Sequence, residues 1–269
     1  MKGKTLSQIR FKTRNCGGIS SQTKSGIAKR RGIFNSIGHT TDITFLTETK
    51  FKQKDLAIYK REWGSGLLAS CTPEVRAQAG VAILFRKGLA VTFIGEPGRD
   101  KNGRVVWTLV EINTKILLII GVYAPSQGDD PNFFKNDVFP ILGKTEYDHV
   151  IIGGDWNLGM DEDLDYWGYA NSDSVRPKSR LELHKQIEHY ELLDIYREMH
   201  PLGSEKTWRT WNKSRRKADK EARLDYFIVD AGLASFVQLI GVSTPFTSAF
   251  DHRPVIMNID FNKVTRGPG

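Results

Sequence analysis

The chain has 269 residues, 39% of them hydrophobic and 26% charged, enough apolar material for a full core and against disorder as the default. Thirty-nine Lys and Arg against 31 Asp and Glu leave a formal charge of +8. The excess is uneven: residues 1–41 hold nine basic side chains and no acid, and residues 206–223 hold eight against Asp219 and Glu221. Such clustering points to a polyanion, either nucleic acid or an anionic membrane surface, with a solvated basic face as the plain alternative.

In chain order, Ile27, Phe34 and Ile37 keep helical spacing ahead of a strand at 43–47. Further strands are expected at 80–85, 89–94, 105–112 and 116–124, with Asn113-Thr114 as a tight hairpin turn between the last two. Phe133, Phe134, Val138 and Ile141 are helically spaced before a strand at 150–153, and Leu181, Ile187, Tyr190 and Leu193 mark another helix. Residues 207–211 alternate as a strand, 212–221 read as a protruding hairpin loop, and strands follow at 224–229 and 255–261. Several runs are continuous Val, Ile and Leu, which suits strands buried on both faces. The pattern predicts an α/β fold of two packed sheets flanked by helices, with residues 1–263 as one domain and 264–269 as a linker or tail.

Several chemistries are set aside. Cys16 and Cys71 are too few for a disulfide scaffold or a Cys-rich zinc site, and fit a reducing compartment. The longest apolar run, 116–124, is too short for a membrane span, and no secretion signal or anchor is expected. The glycines match neither a dinucleotide nor a P-loop fingerprint. What remains is a set of polar residues at strand ends: Glu48 after 43–47, Asp155 and Asn157 after 150–153, Asp225 at the start of 224–229, and Asp251-His252 before 255–261. Carboxylates gathered there can form a hard-cation site from distant sequence. Taken singly, each has an ordinary reading: Asn15 as a turn residue, Tyr123 as a core aromatic, Asp225 as an ion-pair partner of Arg223.

As an ordered set, Asn15-Cys16-Gly17-Gly18, Leu46-Thr47-Glu48-Thr49-Lys50, Gly121-Val122-Tyr123-Ala124-Pro125, Gly153-Gly154-Asp155-Trp156-Asn157, Arg223-Leu224-Asp225-Tyr226 and Asp251-His252-Arg253-Pro254 resemble the endonuclease/exonuclease/phosphatase superfamily. The likeness is greatest to the apurinic-type endonuclease domain of LINE, or non-LTR, retrotransposons. It implies a four-layered α/β sandwich with two packed mixed β-sheets flanked by helices, and a Mg²⁺-dependent phosphodiester hydrolase, with Mn²⁺ as a substitute. Glu48 would hold the metal, with Asn15 and Asp251 as further ligand positions. Asp155 would activate water, Asn157 would hold the phosphate or that water, and His252 oriented by Asp225 would donate to the phosphate, as would Tyr123. The resemblance further implies nicking of double-stranded DNA in the nucleus, a 3′-hydroxyl that primes reverse transcription, a reverse transcriptase linked C-terminally in the full-length protein, and a monomeric isolated domain. A cellular apurinic/apyrimidinic endonuclease and a catalytically inactive nucleic-acid-binding module are the alternatives. Two positions depart from the pattern: Phe250 and Ala222 stand where a Ser is common, each deleting a hydroxyl that could meet a DNA phosphate. The basic segment before Asp225 supplies the expected DNA contacts: Thr207, Trp208, Arg209, Lys213, Arg215, Arg216, Lys217 and Arg223.

Overall fold

The computed structural model describes residues 6–73, 78–169, 176–212, 217–243, 246 and 250–264. In chain order the strands are β1 (Gln8–Asn15), β2 (Ile43–Thr47), β3 (Leu67–Ser70), β4 (Val81–Phe85), β5 (Thr92–Arg99), β6 (Val105–Ile112), β7 (Lys115–Tyr123), β8 (His149–Asp155), β9 (Tyr166–Trp167), β10 (Leu192–Asp194), β11 (Trp208–Asn212), β12 (Lys217–Ala222), β13 (Asp225–Asp230), β14 (Val237–Val242) and β15 (Val255–Asp260). The helices are α1 (Lys24–Gly38), α2 (Leu56–Trp63), α3 (Glu162–Asp165), α4 (Pro177–His189), α5 (Ile195–Met199), α6 (Ala231–Ala234) and α7 (Phe261–Val264).

Two six-stranded sheets, ordered β14-β15-β1-β2-β4-β3 and β10-β13-β8-β7-β6-β5, face each other, with a small β11-β12-β9 sheet beside them. Both large sheets are mixed: β1 runs parallel to β2, and β7 to β8, while their other pairs are antiparallel. Phe11, Phe45, Ile83, Ile119, Ile151 and Phe227 fill the space between the sheets, where the Phe45 and Phe227 rings meet edge to face at 5.6 Å. Outside one sheet, Ile33, Phe34 and Ile37 of α1 pack over Leu46 and Leu84. Outside the other, Phe134, Val138, Phe139 and Leu183 pack over Ile120 and Ile152. Central strands are buried on both faces, hence the unbroken aliphatic runs of β4 and β7. The result is the α/β sandwich with flanking helices that the sequence predicts.

The β6–β7 hairpin turns on Asn113 (φ 49°) and Thr114 (φ 71°), a left-handed pair matching the twist of the flanking strands. The Asn113 side chain steadies it by accepting from the Leu6 amide and donating to the Leu6 carbonyl. Five boundaries correct the sequence expectations, the first being that Lys217–Ala222, expected within a loop at 212–221, form β12 paired with β11. The strand expected at 89–94 runs instead over Thr92–Arg99, because residues 86–89 close a turn, Leu89 N donating to Arg86 O. In α4 the buried positions are Ser179 and Leu183, with Leu181 58% exposed, and Leu193 belongs to β10. Phe133 to Ile141 form a wide helical turn followed by tight ones rather than an α-helix. Val264, assigned to the tail, closes α7 and is buried in the core.

Candidate active site

Register places the site residues at one end of the sandwich. In the second sheet Asp155, the last residue of β8, lies opposite Tyr123 on β7 and Asp225 on β13. In the first sheet Asn15 ends β1 beside Thr47, and Glu48 follows directly. Gly154 makes the packing behind Asp155 feasible, since a Cβ there would lie 1.9 Å from the Val122 carbonyl oxygen. Gly80 does the same for the Glu48 loop: Thr49 N donates to its carbonyl, and a Cβ would come within 2.7 Å of Lys50 N. Glu48 (φ 51°), Lys50 (φ 55°) and Asn157 (φ 49°) all adopt the left-handed conformation, which costs about 1–2 kcal/mol at a non-glycine residue. Strain retained at three positions around one cleft is a mark of function.

Hydrogen bonds join these residues into a chain. Asn15 Nδ2 donates to Asp155 Oδ2 at 2.9 Å, and its Oδ1 accepts from Gly17 N at 2.9 Å, which fixes the amide orientation. Asn157 N donates to Asp155 Oδ1 at 2.9 Å. His252 Nδ1 donates to Asp225 Oδ2 at 2.7 Å, leaving Nε2 3.8 Å from Asp155 Oδ2. Thr207 Oγ1 accepts from the Leu224 and Asp225 amides and so holds the Asp225 strand end, while Trp208 bridges to His252 through the backbone.

The electrostatics follow from burial. Desolvation of Asp155, reinforced by the nearby Asp225 carboxylate, lifts its pKa to about 7 against the opposing pull of His252, Asn15 and the Asn157 amide. Burial alone would lower His252, but Asp225 and Asp155 outweigh it and raise the imidazole to about 10. Burial, with Asp155 and Glu48, also raises the Tyr123 phenol, which stays protonated.

These groups line a cleft of about 690 Å³ that also contains Glu48, Asn157, Trp208 and Asp251. Seven of the eight predicted catalytic residues line it, and the eighth, Asp225, is buried behind His252 and bonded to its ring. The Asn157 Nδ2 donates to the Ala124 carbonyl and the side chain contacts the Tyr123 hydroxyl. Asn15 turns its amide nitrogen to Asp155 and its oxygen to Gly17.

The remaining donors fit a divalent metal. Glu48 and Asp251 put carboxylates on the cleft wall, the hard oxygen ligands such an ion prefers. Lys50 Nζ, 3.0 Å from Glu48 Oε1, balances that charge. Asp155, Asp225 and His252 also offer ligand atoms within 4.8 Å of one another, and the buried Asp225 Oδ1 has no hydrogen-bond partner among the described residues. The short Asp225–His252 bond already commits the imidazole Nδ1, which favours Glu48 and Asp251 as the holders.

The predicted DNA contacts divide. Trp208 lines the cleft, and the Arg209 guanidinium sits 4.3 Å over the Phe246 ring. Thr207 is buried in the hydrogen bonds above. Arg223 is 2% exposed and pairs with Asp165 (2.7 Å) and Asp194 (2.6 Å), not with Asp225; it is a structural cation, and the expectation that it meets DNA is corrected. Lys213, Arg215 and Arg216 lie outside the described residues, and of Lys217 only the backbone is described, opening β12.

Sequence reasoning missed two cleft arginines. Arg104 Nη1 donates to the Tyr123 carbonyl at 3.1 Å, with its guanidinium 5.4 Å from the Tyr123 ring centroid. The signal was available: a two-residue turn at Asn113-Thr114 pairs Ile112 with Lys115 and, counting outward, sets Arg104 against Tyr123. Arg176 donates to the Pro125 and Ser126 carbonyls across the cleft mouth, and nothing in the local sequence marks it.

Similar proteins agree with this architecture. An AP endonuclease from Leishmania major superposes with a TM-score of 0.74 at 20% identity, covering 94% of this chain and 88% of that one. A 3′ phosphatase from Neisseria bound to a product DNA hairpin gives 0.68 at 21%, covering 94% and 99%. A 3′-5′ exonuclease from Neisseria meningitidis gives 0.69 at 22%, covering 94% and 100%. Residues 15–248 match the Endonuclease/Exonuclease/phosphatase family, whose members typically depend on a divalent metal. That match spans every motif from Asn15 to Asp225, and the chain belongs to this family of nucleases and phosphatases.

Proposed function

We propose that this chain is a Mg²⁺-dependent endonuclease that hydrolyses one phosphodiester of double-stranded DNA and leaves a 3′-hydroxyl, as the nicking domain of a non-LTR retrotransposon. The observation that carries the reading is the Asn15–Asp155–His252–Asp225 chain at the cleft floor. With its pKa near neutrality, Asp155 is poised to take the proton of an attacking water. His252, kept protonated, donates from Nε2 to a non-bridging phosphate oxygen, and Asp225 holds its ring and charge. The protonated Tyr123 phenol is a second donor. Bound at Glu48 and Asp251, the metal would offset charge building on the phosphate and the leaving oxygen. This is catalysis by positioning and preorganised charge, with no covalent intermediate.

The basic segment 206–223 supports an extended polyanion as substrate, since it leads from the cleft-lining Trp208 into Asp225. In this reading the domain acts in the nucleus as a monomer and is followed in the full-length protein by a reverse transcriptase. The likeness to the Leishmania AP endonuclease favours abasic-site cleavage as the second reading. Mapping nicks at nucleotide resolution on intact and abasic duplexes separates the two. Cleavage of intact duplex to ends that a polymerase extends supports the proposal, a strong preference for the abasic duplex supports the second reading, and cleavage of neither defeats both.

A further inference from the structure

The acid-free N-terminal segment contains a feature that the cleft does not use. Along β1, Phe11, Thr13 and Asn15 point into the sandwich and are buried, while Arg10, Lys12 and Arg14 alternate with them on the outer face. The three cations line a trough of about 780 Å³ between α1 and β15. Ser36 and Thr40 form one wall, Pro254 and Ile256 the other, and no Asp or Glu among the described residues lines it. At one end the Arg14 guanidinium lies 4.5 Å from the Phe250 ring centroid, with Lys29 Nζ at 5.5 Å. His252 lines both this trough and the catalytic cleft, so the two meet there.

Successive outward residues of a strand stand about 6.7 Å apart, and like charges held at that spacing in a trough repel one another. Burial, with Arg14 and Arg10 beside it, holds Lys12 below the usual lysine range. Arg10 lies 3.9 Å from Asp42, but Asp42 is already committed to Arg86 at 2.8 Å. A row of regularly spaced anions would complete the trough. Lys12 and Arg14 are recessed, so the phosphates of a wide duplex would stay above them, whereas one extended strand could lie along the floor with an aromatic ring at its end.

We infer that the trough on β1 is a track for a single-stranded stretch of polynucleotide running to or from the catalytic cleft past His252. Phe250, a departure from the family pattern, then stands where the strand would enter, its ring holding Arg14 in place. The inference rests on the nucleic-acid reading of the cleft but is tested apart from cleavage.

The test is fluorescence anisotropy of labelled oligothymidylate and oligouridylate on the full chain in EDTA, read against salt. Comparison is with the triple variant Arg10→Gln, Lys12→Gln, Arg14→Gln. At about 0.7 in slope per strand phosphate contact, the variant should lose about 2 from the slope of log affinity against log salt. Wild-type affinity should therefore fall about 20-fold more than the variant's between about 50 and 200 mM salt. Asn258→Lys, which adds a cation beside Arg10 in the same trough, should tighten binding and steepen the slope, a gain that misfolding cannot produce. Tighter oligothymidylate binding assigns the track to DNA, and equal binding assigns it to either strand chemistry. Unchanged slopes in the triple variant, or no gain in Asn258→Lys, overturn the track. Failure of the wild type to nick plasmid, with the slope difference intact, defeats the endonuclease reading and leaves the track standing.

Discussion

The Asn15 side chain reaches across the gap between the two sheets and donates to Asp155, Nδ2 to Oδ2 at 2.9 Å. It is the one side-chain amide donor on that oxygen among the described residues, and it opposes the burial that raises the Asp155 pKa to about 7. Asn15→Ala removes the opposition, so the carboxylate becomes harder to ionise. A hydrogen bond to a charged group is worth about 1.5–3 kcal/mol, or roughly one to two pKa units. The acid limb of the nicking rate should move up by that amount and the neutral-pH rate fall about ten- to hundred-fold. A pH profile that stays in place contradicts the role.

Asp225→Asn should act on His252. Burial pushes the imidazole down and the carboxylates push it up, so a neutral amide at 225 lets the midpoint drop from about 10 toward or below 6.5. An NMR titration of the metal-free protein reads this directly. Because the folded pKa is raised above the unfolded one, the linked stability is fully present below about 6.5 and is lost as pH rises through about 10. Denaturation midpoints should therefore fall across that window in the wild type and fall less in the variant. Equal slopes would show that Asp225 does not set the charge of His252.

Arg223→Met separates a structural cation from a DNA contact. Arg223 is 2% exposed, with Asp165 and Asp194 as its partners, so its loss takes the guanidinium from Asp194 and leaves Asp165 with Arg197. The expected cost is about 3–5 kcal/mol in chemical denaturation. The salt dependence of DNA binding by the folded fraction should not change, and a reduced slope would restore Arg223 to the DNA interface.

Why was so much of this legible? The strands that carry Glu48, Tyr123, Asp155 and Asp225 are mostly apolar runs buried on both faces, with a carboxylate or hydroxyl group at the end that meets the site. Reading Asn15 required the resemblance, since β1 alternates basic with apolar residues. What local sequence could not convey is partner identity in space. Arg223 looks like a neighbour for Asp225, yet it lies in the link between β12 and β13, and its guanidinium turns to Asp165 and Asp194, 58 and 29 residues distant. The same limit hides Arg176, whose partners Pro125 and Ser126 are 50 residues back. Leu181 and Leu183 both fit a helix, and only the packing against β8 and β10 decides that Leu183 is buried.

Replacing Lys213, Arg215, Arg216 and Lys217 with Ala should weaken duplex binding and reduce the slope of log affinity against log salt by up to about 0.9 per lost phosphate contact. These changes should leave chemical denaturation where it is, unlike Arg223→Met. An unchanged slope would mean that the segment does not follow the DNA backbone.

The central claim is that Asp155 and His252 perform phosphodiester hydrolysis in one cleft. Nicking of supercoiled plasmid in Mg²⁺ by the wild type, Asp155→Ala and His252→Ala, each with circular dichroism to verify folding, tests it most directly. The account predicts conversion to open circles by the wild type and a loss of at least about 10²-fold in each folded variant. Nicking by either variant at the wild-type rate would contradict it.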